Sequence, residues 1–173
     1  MSGRLAIANR QRVVSLNARL LRGITKALLV DLLELDDFEL ALILVRAPEM
    51  ARINQTFLQH EGSTDVITFD YAENGLPASR QQGSNLPAGR RQHVHGEIFI
   101  CMDDAIAQAR EFRTSWQSEL ARYVIHGVLH LRGYDDIRMA DRRKMKRMEN
   151  RLLKEMARLF PLKELGRSPR LGT

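Results

Sequence analysis

The chain has 173 residues, with 44% hydrophobic and 28% charged side chains, a balance that excludes a disordered polypeptide and suits one domain with a sizeable core. Its 27 lysines and arginines outnumber its 21 acidic residues, for a formal net charge of +6; that favours a polyanionic partner through counterion release, although a basic surface serves solubility as well. The longest apolar run, Ala27 to Leu35, is broken by Asp31 and Glu34, falling short of the roughly 20 residues a membrane-spanning helix needs, and Met1-Ser-Gly-Arg4 leads into no signal-peptide core, so a cytoplasmic protein is expected.

In chain order, Leu5 to Ala8, with Arg10 and Arg12 to Val14 following, is a weak strand candidate. Leu20, Leu21, Ile24, Leu28 and Leu32 then recur at helical spacing from about Asn17. Phe38 to Val45 is a short apolar run that suits a buried strand, and Pro48 suits the first turn of a short helix through Ile53 and Phe57. Thr64 to Tyr71, rich in β-branched and aromatic residues, is a strand. Gly75, Pro77, Gly83, Pro87 and Gly89 mark residues 74–93 as an exposed loop. Gly96 to Ile100 is a strand expected to pair, hairpin-like, with the preceding one. Cys101, which follows it, is the only cysteine, so no intrachain disulfide and no thiolate metal cage can form. A buried structural thiol is its expected role, and any metal must be held by His, Asp or Glu.

Three helices follow. The first covers about Asp103 to Phe112, and the second, capped by Ser115 or Ser118, carries Leu120, Val124, His126, Leu129 and His130 and stops at Gly133. The third starts near Met139 and sets Met145, Met148, Leu152, Met156 and Leu159 on one face, where methionine is core filling. From Pro161 the chain turns polar and basic. These elements predict a single domain over residues 1–160 and a flexible basic tail over 161–173.

The chemistry concentrates in His126-Gly-Val-Leu-His130-Leu-Arg-Gly133-Tyr-Asp-Asp136. Histidines four apart on a helix project from one face and can reach one ion. Gly133 can adopt the left-handed conformation that turns the chain back, bringing Asp136 to the same point. Two imidazoles and a carboxylate leave a fourth tetrahedral position for water, whose pKa zinc lowers toward roughly 7. A His pair alone is a weak signal, commonly found on helix surfaces; the added Gly-x-x-Asp strengthens it. The spacing also parallels that of metzincin peptidases, but those need glutamate directly after the first histidine, and Gly127 has no side chain to move a proton.

The stretch resembles the signature of the YbeY family, which normally ends in a third histidine. Asp141, Met145, Glu149 and Leu152-Leu153 follow in the family's order. Upstream, Asn54, then Ser63-Thr-Asp-Val-Ile-Thr-Phe69 and Gly96-Glu-Ile-Phe-Ile100, are similar to further family segments, so the resemblance spans about residues 38 to 160. It implies an α/β or α+β domain: a small mixed four-stranded sheet packed with about five helices, and a metal site on a helix and the turn after it. It further implies one Zn2+ per chain, held by His126, His130 and Asp136, in a single-strand-specific endoribonuclease. The implied role is 16S rRNA 3′-end maturation and ribosome quality control, with the 16S rRNA precursor and the small ribosomal subunit as partners and neither membrane nor DNA.

Two positions differ from the family's pattern. Asp136 stands where a histidine is usual, and Leu58 where an arginine contacts the phosphate backbone, a task left to Arg52, Arg132 or Arg138. Those departures sustain a second expectation, a non-catalytic ribosome-associated assembly factor with a structural metal. Arg132, Thr64 and Asp65 are further candidates at the site. Arg132, Arg138, Arg142 and Arg143 are placed to track phosphates, or to form a solvated helix face, and Thr64 and Asp65 to line the cleft, or to cap a turn. Glu97 has the same two readings as that pair. Tyr134 could stack a base or pack on its own helix, and His93 with His95 could bind a second ion or stay exposed.

Overall fold

The computed structural model describes residues 2–72 and 93–166; the expected loop at 74–93 therefore lies almost wholly outside the described residues. Four strands form one mixed sheet in the order β1-β2-β4-β3: β1 (Ser2–Asn9), β2 (Asp37–Val45), β3 (Val66–Asp70) and β4 (His93–Cys101). β1 and β4 flank β2 in parallel, and β3 pairs antiparallel with β4, Val66 opposite Ile100 and Asp70 opposite Gly96. The pairing of the last two strands thus follows the expectation. β1 stops short of Arg12–Val14 because the buried Gln11 side chain turns the backbone there, its Oε1 accepting from the amides of Val13 and Val14.

Among the described residues, five helices complete the α+β architecture: α1 (Ala18–Ala27), α2 (Ala47–Ile53), α3 (Met102–Glu111), α4 (Trp116–Leu131) and α5 (Met139–Leu159). α1 and α2 each run on into a wider π-type turn, Leu28–Leu32 and Asn54–Leu58. On β2, Phe38, Leu40, Leu42 and Leu44 point into the main core, together with Leu21, Ile24 and Leu28 of α1, Val124 and Val128 of α4, and Met145, Leu152 and Met156 of α5. Ile43 and Val45 point the other way, into a smaller cluster closed by Met50 of α2 with Ile67, Phe69 and Cys101. Burial on both faces is why this central strand reads as an unbroken apolar run. Cys101 is fully buried, and burial raises its pKa to about 11, consistent with a structural thiol.

α4 is the central helix: ten of its sixteen residues are buried. The Ser115 hydroxyl caps it by accepting from the amide of Ser118. Gly127 marks its closest approach to the sheet, since a Cβ there would lie 2.7 Å from Cγ2 of the buried Ile98. Gly127→Ala is expected to cost about 1–3 kcal/mol by overpacking, read as a lower midpoint in urea with an unchanged slope. An unchanged midpoint would mean that the helix shifts freely on the sheet.

The fold continues past the boundary expected at residue 160. Leu162–Gly166 forms a 3-10 turn that buries Leu165 completely, and the Leu165 carbonyl accepts from the amide of Asn17, the residue capping α1. The tail expected to be flexible is thus docked through Gly166; residues 167–173 lie outside the described residues. No helix among the described residues is long and apolar enough to cross a membrane.

Candidate metal centre

His126 and His130 lie one turn apart on α4, with Nε2 atoms 3.0 Å from each other. Helix α4 ends at Leu131, and Gly133, at φ 92°, reverses the chain. The turn then delivers Asp136, whose Oδ2 is 3.6 Å from His130 Nε2 and 3.8 Å from His126 Nε2. Among the described residues this is the one group of three or more such side chains whose ligand atoms converge, all within 4.8 Å. Asp135, the neighbouring carboxylate, is spent on the turn itself: its Oδ1 accepts from the amide of Ile137. Arg142 braces the same turn by donating from Nε to the Asp136 carbonyl.

The hydrogen bonds on the far side of each ring decide what the cluster holds. His126 Nδ1 lies 3.0 Å from Glu149 Oε2, and His130 Nδ1 lies 3.1 Å from the Tyr134 carbonyl. Both partners only accept, so both Nδ1 atoms carry the proton in the neutral rings and both Nε2 atoms present lone pairs. Two lone pairs and a carboxylate facing one point repel unless a cation lies between them. The Nε2 separation is close to the roughly 3.3 Å expected between two nitrogens about 2.0–2.1 Å from a tetrahedral ion. His126, His130 and Asp136 therefore fit a divalent cation. With both rings protonated, and so without a cation between them, the Asp136 carboxyl is held below the usual range by a hydrogen bond from His130 and by the charge of both rings, against the effect of its burial.

Glu149 fixes the ring of His126. It lies on the buried face of α5, where burial opposes its charge, yet bonds from His126 and Arg122 and the charge of Lys146 hold its pKa at about 2. Its Oε1 accepts from Arg122 Nη1 at 2.8 Å and from Lys146 Nζ at 3.3 Å. Such outer carboxylates orient ligating histidines and raise their basicity. The sequence did offer a signal for this role: an acidic residue in the apolar stripe of Met145, Leu152 and Met156 needs a partner.

The other candidates divide. A cavity of about 530 Å³ opens beside the cluster, and Asp65, Arg142 and Arg143 line it together with His126, Asp136 and Glu149. Thr64 is not on its wall. Thr64 donates to Asp65 Oδ1, which also accepts from the amide of Val66, so this pair starts β3 as a turn cap while Asp65 reaches the cavity. Arg132 is only 8% exposed and off the cavity wall, because the C-terminal turn of α4 packs inward; a surface role in tracking phosphate does not suit it. Tyr134 is likewise buried, at 7% exposure, and offers no face for base stacking.

Away from the site, Glu97 accepts from the Tyr71 hydroxyl, and His93 and His95 face Asp37 and Glu39 across β2. Leu58 packs against the smaller core cluster, and Arg52 and Arg138 are exposed outside the cavity. Sequence reading missed Gln108, Arg122, Tyr123 and Lys146 on the cavity wall. They come from three helices, and no spacing within the chain announces their meeting.

An α+β domain that converges two histidines and a carboxylate beside an open, partly basic cavity has the makings of a metal-assisted hydrolase. Sequence comparison makes the assignment particular. A model of the family described as endoribonuclease YbeY matches residues 6–157. Proteins named endoribonuclease YbeY from Salinibacter ruber and Chlorobium luteolum are each 37% identical, over 114 and 120 residues, covering 66% and 69% of this chain and 68% and 75% of theirs. A solution structure of TM1509 from Thermotoga maritima shares the fold, with a TM-score of 0.61 at 24% identity over 98% of this chain and 99% of that one. The chain belongs to the YbeY family of endoribonucleases. Membership supports an endoribonuclease role, that of a nuclease hydrolase whose substrate is RNA.

Proposed function

We propose that this protein is a zinc-dependent, single-strand-specific endoribonuclease acting in 16S rRNA 3′-end maturation and ribosome quality control, in the cytoplasm and on the small ribosomal subunit. The observation that carries the metal requirement is the convergence of two imidazole lone pairs and the Asp136 carboxylate on one point. His126, His130 and Asp136 would hold the zinc, which would supply Lewis acidity toward a phosphoryl oxygen or a water molecule. The protein's share is positional. Glu149 and the Tyr134 carbonyl fix the two rings, while Arg142, Arg143 and Lys146, exposed on α5 at the cavity, draw the RNA backbone toward them.

The test is cleavage of a single-stranded RNA by zinc-supplemented protein, with and without chelator, beside a duplex of the same sequence. Chelator-sensitive cleavage confined to the single strand is the expected result. Leu58 gives the second reading its one specific observation: an apolar side chain packed in the smaller core where the family's arginine would stand. Binding to small subunits without cleavage by the zinc-loaded protein would establish that reading, a non-catalytic assembly factor, instead.

A further inference from the structure

Helix α5 carries eight lysines and arginines against three acids, so this one helix accounts for most of the chain's net charge of +6. The charge is aligned as well as abundant. Arg143, Arg147, Arg151, Lys154 and Arg158 follow one another at steps of four, four, three and four residues, and all are exposed. At about 100° per residue these positions fall within an arc of about 80°. The arc lies opposite Met145, Leu152 and Met156, which α5 buries in the main core. The stripe runs about 22 Å at ~1.5 Å per residue. It begins at the cavity, where Arg143 lines the wall, and continues beyond it.

Nothing in the fold calls for this arrangement. Like charges three and four residues apart on a helix repel each other, and cations near a helix N-terminus, such as Arg142 and Arg143, oppose its dipole. A helix face that serves only solubility relieves such repulsion by interleaving acids with the cations. The stripe has that relief at one end, where Glu155 Oε2 lies 2.8 Å from Arg158 Nη2. Glu149 is turned inward to His126, and Asp141 stands in the first turn, ahead of the stripe. Arg151 donates to the Met148 thioether. Among the described residues, Arg147, Arg151 and Lys154 have no acidic partner.

We propose that this stripe is an exosite for the RNA backbone: the strand that crosses the metal centre continues along α5, its phosphates meeting Arg147, Arg151, Lys154 and Arg158 in turn after Arg143. A row of solvated, unpaired cations on a straight helix suits a polyanion of evenly spaced charge, and such contacts position the strand without reading its sequence. The consequence is a length requirement, because a fragment that only fills the cavity forgoes the stripe. This rests on the reading of the protein as a ribonuclease and adds the path of the substrate beyond the reacting phosphate.

The test is fluorescence anisotropy with labelled single-stranded RNAs of about 4 and about 16 nucleotides, the span of common single-strand site sizes. They are titrated with the full, zinc-supplemented chain between about 50 and 200 mM salt. One variant combines Arg147→Gln, Arg151→Gln and Lys154→Gln; a control of equal charge combines Arg12→Gln, Arg19→Gln and Lys26→Gln, all exposed and off α5. The α5 variant should bind the longer RNA about tenfold or more weakly near 100 mM salt, and its log affinity should fall less steeply with log salt, by about 0.7 per charge removed. Its binding of the shorter RNA and its zinc content should hold, and its melting temperature should hold or rise. In cleavage of the longer RNA it should raise KM and keep kcat. Unchanged affinity and slope in the α5 variant would overturn the proposal, as would an equal loss in the control, which would assign the effect to net charge alone. An equal loss on both RNAs would confine the stripe to the cavity and overturn it too, as would a wild type that binds neither. Cleavage with an unaltered slope sinks the exosite alone, and a stripe-dependent slope without cleavage sinks the nuclease reading alone.

Discussion

His130→Ala should leave the purified protein without zinc and bring RNA cleavage to background, a loss of at least two orders of magnitude in each. The structure leaves no substitute for the missing lone pair. Asp135 is bonded to the Ile137 amide, and no other described His, Cys, Asp or Glu converges with His126 and Asp136. A divalent ion left with one imidazole and one carboxylate loses a third of its protein ligands and the tetrahedral frame. The fold should survive, because the His130 side chain keeps 21% of its surface exposed and the apo protein sheds a repulsion between two facing lone pairs. Metal content by mass spectrometry, with unfolding followed in chelator, separates these effects. One zinc per chain retained by the variant would place the ion elsewhere and end the proposed mechanism.

Glu149→Gln comes second. Its carboxylate is 5% exposed and bonded at once to His126, Arg122 and Lys146. The amide keeps the shape but removes the charge that orients His126, so zinc affinity should fall about 10- to 100-fold. The change also bears on acid stability. The folded carboxyl titrates near 2 against 4.5 for the free side chain, so the unfolded chain takes up the proton first as pH falls. The stabilisation is therefore full above about pH 4.5 and fades toward pH 2; the shift corresponds to roughly 3 kcal/mol. Urea unfolding between pH 2.5 and 6 should show that loss in the wild type and much less of it in Glu149→Gln. Parallel curves would mean that Glu149 contributes no differential charge stabilisation.

Both predictions start from residues that local patterning exposes to different degrees. The i, i+4 histidines and the reversing glycine are short-range features, governed by helix pitch and by the tolerance of Gly133 for a positive φ, so the convergence of His126, His130 and a carboxylate after the turn could be read from spacing. The choice of Asp136 over Asp135 already depends on which side chain satisfies the Ile137 amide. Arg132 and Tyr134 fall in an irregular turn, where no period tells inside from outside, and both proved buried. Gln108 on α3 and Tyr123 on α4 meet Lys146 on α5 only through tertiary packing. β3 was legible from its β-branched and aromatic residues, β2 from its apolar run and β1 only weakly, but the position of β4 between β2 and β3 rests on long-range pairing that no window of sequence contains.

The docked turn at Leu162–Gly166 has a practical consequence for anyone shortening this chain. A fragment ending at residue 160, where composition alone suggests the domain stops, would lack Leu165, which is completely buried, and the carbonyl that receives the Asn17 amide at the start of α1. Losing a buried leucine of this kind costs about 2–5 kcal/mol, a large part of the 5–15 kcal/mol that holds a domain together. Such a fragment would aggregate or melt early while every candidate metal ligand stood intact in its sequence, and its inactivity would be blamed on the wrong residues.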